Sequence, residues 1–136
     1  MRPVDTMCQN ICEQYPEILA AYLFGSRATG QDRPGSDWDV ALLLKPSSEP
    51  EFDYLGFKVA LEKALHHDVD LIILNNAGAP IKHQVRRDGN VVFDRDPRKR
   101  TEWEMLSRKM YQDFLHLHAI YMHWMKNALR SSSHGG

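Results

Sequence analysis

Only two of the 136 residues are cysteines, Cys8 and Cys12. They lie four apart in a stretch that reads helical, and nothing near them completes a zinc-ligand set. A disulfide scaffold and a small zinc module are both excluded, and two small half-buried thiols in a reducing compartment are expected. Long apolar runs are also missing: none approaches the ~18 residues needed to span a bilayer. The start, Met1-Arg2-Pro3-Val4-Asp5, lacks the apolar core of a secretory signal. Internal repeats and low-complexity segments are absent too. These gaps point to a cytoplasmic protein with no membrane partner. Its length suits one compact domain over residues 1–130, followed by a flexible tail at 131–136, with no room for a separate recognition domain.

What is present is ordinary for a globular chain, with 43% hydrophobic and 26% charged residues. The net charge of -1 hides an asymmetry. Residues 1–70 hold six Lys/Arg against twelve Asp/Glu, whereas residues 71–136 hold eleven against six. The first half can gather cations through clustered carboxylates, and the second can meet an acidic partner.

Hydrophobic patterning gives the order of elements. A helix is expected over 5–14, ended by Tyr15-Pro16. The apolar run 18–24 reads as a buried strand stopping at Gly25. A helical turn and loop follow over 26–36, then a strand over 38–44. Apolar spacing over 51–66 (Phe52, Leu55, Val59, Leu61, Leu65) predicts a helix, and 68–74 a third strand. A short helix over 79–87, with Ile81 and Val85 on one face, precedes a last strand at 90–93. One long helix is expected over 97–129, with Pro97 in its first turn. The fold class is α/β (α+β), helices packed on a small mixed sheet.

The chemistry concentrates in Gly25-Ser26-Arg27 and Ser36-Asp37-Trp38-Asp39. Asp37 and Asp39 stand two apart at the start of a strand, so their side chains point to one side. Val40, Leu42 and Leu44 then face the other side and can pack, and Trp38 packs with them. Adjacent carboxylates repel, and a divalent cation relieves the repulsion. Oxygen ligands at an open edge suit Mg²⁺, which keeps water and substrate phosphates in its shell. Gly25 lets a phosphate approach the backbone. The Ser26 hydroxyl and neighbouring N–H groups can bind phosphate oxygens, and Arg27 adds positive charge. Asp70, opening the third strand, can supply a third carboxylate, with Asp68 as its competitor.

Gly25-Ser26, ten intervening residues and Asp37-x-Asp39, with Val69-Asp70-Leu71-Ile72 downstream, resemble the signature of the DNA polymerase β-type nucleotidyltransferases. The short chain is similar to the minimal nucleotidyltransferases, in particular to antitoxins paired with HEPN-domain ribonuclease toxins. The resemblance implies a polymerase-β-like fold in which Gly25 and Ser26 hold the triphosphate of a nucleoside triphosphate, with Arg27 beside them. It implies that Asp37 and Asp39 bind two Mg²⁺ ions, and that Asp70 completes the metal site and helps deprotonate the acceptor. It further implies ATP as donor and a tyrosine of the partner toxin as acceptor, with pyrophosphate released and the toxin neutralised. Two rivals stand beside this reading: an antitoxin that masks its toxin without catalysis, and a small-molecule nucleotidyltransferase.

The last helix carries Trp103, Leu106, Met110, Phe114, Leu117, Tyr121 and Trp124 at spacings of three and four, with a second apolar row beside them. Such a wide stripe is expected to lie mainly in the core, with the second row free to meet another chain. His116, His118 and His123 are expected to pack or line an interface. Arg95, Arg98, Lys99 and Arg100 cluster at the helix start, where the helix dipole disfavours positive charge, and so suggest an acidic partner. Direct nucleic-acid binding is not expected, because no aromatic stacking platform is interleaved with the basic residues.

Overall fold

The structure, a computed structural model, describes residues 2–25 and 37–134. Helix α1 spans Pro3–Glu13, β1 Ile18–Phe24, β2 Trp38–Leu44, α2 Tyr54–Leu65, β3 Val69–Ile73, α3 Ala79–Asp88, β4 Asn90–Asp94 and α4 Pro97–His134. The turn expected within 26–36 lies outside the described residues.

The four strands form one mixed sheet in the order β3-β2-β1-β4. β1 pairs antiparallel with β2 and with β4, while β2 and β3 run parallel. The parallel pair is joined through α2, as a parallel connection requires. All seven residues of β1 are buried, which is why its run is apolar without alternation: both faces of this central strand are covered. On one face, Ile18, Leu23, Val40, Leu42, Val69 and Leu71 pack against Cys8 and Cys12 of α1 and Phe57 and Leu61 of α2. On the other, Leu19, Tyr22, Phe24, Ala41 and Leu43 meet Val85 of α3 and Trp103 of α4. Burial pushes the Cys8 thiol up to about 12 and raises Cys12 as well, so both are inert core side chains.

Helix α2 begins three residues later than its apolar spacing predicts. Pro50 lies in a 3₁₀ turn, Glu49–Glu51, and Asp53 caps the helix by accepting the Gly56 N–H at 3.0 Å. The inward face is then Phe57 and Leu61, while Leu55 and Val59 are exposed. In α3, Val85 points inward as expected, but Lys82 rather than Ile81 is buried beside it.

Two expectations for the C-terminal part are overturned. Arg95 and Arg100 are not available to an acidic partner. The Arg95 guanidinium donates to the carbonyls of Ile18 (2.8 Å), Cys12 (3.2 Å) and Tyr15 (3.3 Å), and it lies 5.0 Å over the Phe93 ring. It ties the α1–β1 turn to the end of β4. Arg95→Ala should therefore lower stability by roughly 1–2 kcal/mol, read as a lower urea midpoint at unchanged slope. Arg100 bridges Asp94 and Glu104, both at 2.8 Å. The α4 start is instead satisfied by Asp96, which accepts the Lys99 N–H at 3.2 Å.

The second correction concerns α4 itself. Its first three turns are anchored: the Tyr22 hydroxyl donates to Glu104 Oε1 at 2.7 Å, and Ser107 is buried. Burial, reinforced by the Glu104 carboxylate, raises the Tyr22 phenol and keeps it a donor. Beyond Ser107 almost every residue is exposed, Trp124 at 70%. The wide stripe is not core, because a small sheet has no further face left to cover it. The helix also continues past 129 to His134. Residues 131–134, expected as part of a tail, are helical, since nothing from Ser131 to His134 is a helix breaker and Ser132 Oγ bonds back to the Leu129 carbonyl.

Candidate active site

The site forms where β1 ends and β2 and β3 begin. Phe24 lies opposite Asp39 across the β1–β2 ladder, and the parallel β2–β3 register sets Asp39 beside Asp70. Parallel pairing in register puts both side chains on the same face of the sheet. Asp39 and Asp70 alternate in step with Ala41 and Ile72, and so share the face that α3 and α4 cover. Trp38 packs against the opposite layer with Val40 and Leu42, as strand alternation predicts. Asp37 precedes the strand and is exposed.

The charges interact. Burial, then the Asp70 and Asp37 carboxylates, raise the Asp39 carboxyl above its ordinary value. Three carboxylates gathered this closely disfavour the charged form of Asp39, the most enclosed of them. Asp68 contributes its backbone instead, its carbonyl accepting the Trp38 N–H at 3.0 Å. Asp70, not Asp68, is the third-strand acid that stands opposite Asp39.

Gly25 closes the site from the β1 side. Its φ is +81°, and a Cβ at this position would lie 2.1 Å from Asp39 Oδ2. Any other residue would be strained in backbone and would strike the carboxylate. Ser26 and Arg27, the expected phosphate contacts, lie outside the described residues.

Among the described residues, no three His, Cys, Asp or Glu side chains already close a cage around an ion. The acids form a close pair, Asp39 and Asp70, with Asp37 at the rim. This donor set still fits Mg²⁺: it is all oxygen, it is open to water and phosphate, and the carboxylates crowding Asp39 create a repulsion that a divalent cation relieves. Sequence spacing treats Asp37 and Asp39 alike. The structure separates them, placing Asp39 inside the ladder against Gly25 and Asp37 outside it.

A mixed sheet that gathers aspartates at adjacent strand ends beside a positive-φ glycine is the frame of a nucleotidyltransferase. Residues 6–98 match the family described as Polymerase beta, Nucleotidyltransferase, and the chain belongs to that family. It is 32% identical over 88 residues to the protein adenylyltransferase MntA of Aphanizomenon flos-aquae (strain 2012/KM1/D3), a match covering 58% of this chain and 59% of MntA. The matched chain thus spans about three-fifths of that relative's length. Among solved structures, a toxin-antitoxin crystal structure with AMP-PNP is similar at a TM-score of 0.73 and 24% identity, over 92% of this chain and 98% of that one. A complex of tri-AMPylated Shewanella oneidensis HEPN toxin with MNT antitoxin is similar at 0.63 and 22%, over 92% and 98%. These likenesses establish the polymerase-β-like fold. Among the described residues, no helix is long and apolar enough to cross a membrane.

Proposed function

We propose that the chain is an antitoxin that transfers AMP from ATP to a tyrosine hydroxyl of a HEPN-domain toxin and so neutralises it. The observation that carries this reading is the Asp39–Asp70 pair, held on adjacent parallel strands with Asp37 beside it and Gly25 against it. The adenylyltransferase relative and the toxin-antitoxin structures support the same chemistry.

Asp37 and Asp39 would hold Mg²⁺, with Asp70 completing the set on the acceptor side. Bound there, the metal would supply charge neutralisation for the triphosphate and favour loss of the acceptor proton. The residues provide position: Asp39 is locked by the ladder and by Gly25, and Asp70 is one strand away on the same face. From that position Asp70 would take the acceptor proton, while Gly25, Ser26 and Arg27 would hold the triphosphate so that the hydroxyl attacks the α-phosphorus in line and pyrophosphate leaves. Positioning and electrostatics of this kind do most of the work in phosphoryl transfer.

The test is the intact mass of the HEPN-domain partner after incubation with the chain, ATP and Mg²⁺. A gain of one or more AMP units, absent with Asp37→Asn, is expected. No gain in a stable complex would favour neutralisation by masking alone, a reading that the exposed second half of α4 motivates.

A further inference from the structure

Beyond Ser107, α4 presents a long apolar surface that, Tyr111 apart, the other described residues leave exposed. Residues 108–132 form roughly 38 Å of helix at 1.5 Å per residue. Leu117 is 65% exposed and Trp124 70%, and both are far from any packing role in the sheet. At about 100° per residue, the large apolar side chains of this segment lie within an arc of roughly 220°, interrupted by His118 and, beside Ile120 and Trp124, by Asp113. Lys126 borders the arc on one side and Lys109 on the other. Across 108–132 the charged residues are Arg108, Lys109, Lys126 and Arg130 against Asp113 alone. The segment leaves the domain in a defined direction, because the Tyr111 ring stacks on His83 at 3.8 Å and 5°.

We propose that this distal half of α4 is the docking surface for the protein that receives the nucleotide, and that it seats in an apolar, acidic-rimmed groove between helices of that protein. The proposal rests on the adenylyltransferase reading above. Three observations select the occupant. The basic flanks would face each other in a pair of identical helices, so a second copy is disfavoured and an acidic rim is complementary. The arc exceeds half the circumference, so a concave partner covers more of it than a flat surface does. And α4 packs, through Trp103, on the sheet face that carries Asp39 and Asp70, so the helix offered to the partner is rooted on the face that carries the acids. Affinity for the acceptor then resides in α4 and chemistry in the sheet.

The experiment compares the full chain with Leu117→Glu/Trp124→Glu and with Lys109→Glu/Lys126→Glu, using the co-expressed HEPN-domain protein as acceptor. The four sites are exposed, and unchanged melting temperature and ATP affinity verify that the domain is intact. For Leu117→Glu/Trp124→Glu, KM for the protein acceptor should rise at least ~10-fold with kcat at saturating acceptor retained. The lysine double variant should associate more slowly, and added salt should slow the wild type as well. Transfer by the wild type with an unchanged KM in Leu117→Glu/Trp124→Glu overturns the docking proposal and leaves the enzyme reading intact. No transfer by the wild type overturns the enzyme reading itself; a complex lost in the apolar double variant would still uphold the surface. Dimers of the chain alone that dissociate in that variant, or its wild-type binding to phosphatidylglycerol vesicles, overturn the choice of occupant.

Discussion

Asp39→Asn should lower nucleotide transfer by roughly 10³-fold or more, because on the proposed reading it removes a ligand of the metal, worth several kcal/mol in the transition state. The same substitution should raise the melting temperature of the metal-free protein. The physical reason is the environment of this carboxyl, which burial and two neighbouring carboxylates hold above its ordinary range. A carboxyl whose pKa is raised by folding contributes stability that is complete below its unfolded pKa and is lost as pH rises through the folded one. At neutral pH the ionised Asp39 therefore opposes folding. Asparagine keeps the size, fits beside Gly25 and can donate to Asp70 without charge. Melting curves in EDTA across the carboxylate range and up to neutrality should show the wild type falling with rising pH and the variant falling less. Mg²⁺ with a nonhydrolysable ATP analogue should raise the wild-type melting temperature and barely move the variant. A variant that melts lower than wild type in EDTA at neutral pH would mean that the acidic pair is not a source of repulsion.

Gly25→Ala should damage both stability and transfer. The backbone at +81° costs an L-residue about 1–2 kcal/mol, and the added methyl must displace the Asp39 carboxylate, whose Oδ2 would lie 2.1 Å away. A shift of about an ångström in the carboxylate proposed to hold the metal is expected to cost on the order of 10²-fold in rate. The two contributions separate in a double-mutant cycle. In an Asp39→Ala background the clash partner is gone, so Gly25→Ala should lose only the backbone part of its stability cost. Denaturant midpoints for the four proteins measure this directly. Equal costs in both backgrounds would show that the methyl does not meet Asp39.

Much of this site was legible from residue order. The run 18–24, ended by Gly25, and the run 38–44, preceded by acids, mark two strands that coincide with β1 and β2. Asp37, Asp39 and Asp70 follow from their place at strand starts. The role of Gly25 was legible only in kind. Its conformational freedom suggests close approach by a phosphate, whereas the approach present within the described residues is by the Asp39 side chain. Strand alternation alone leaves Asp68 a competitor of Asp70, because both lie on one side of a strand, and the family resemblance favoured Asp70. The parallel register chose Asp70.

The long helix is where residue order misleads. Apolar residues at spacings of three and four report that a face is to be covered, not by what. Arg95 shows the same limit in reverse: its charge suggested a partner, and the fold uses it on three backbone carbonyls.

The sequence by itself determined the elements, the acids and the family signature, because strand alternation, helix spacing and turn residues act over a few neighbours in the chain. Only the tertiary structure decided which acid pairs with Asp39, which basic residues are internally engaged, and that half of α4 stands clear of the core. Each of those depends on register between strands, or on how much face a four-stranded sheet has to offer, and both are set by contacts between residues distant in the chain.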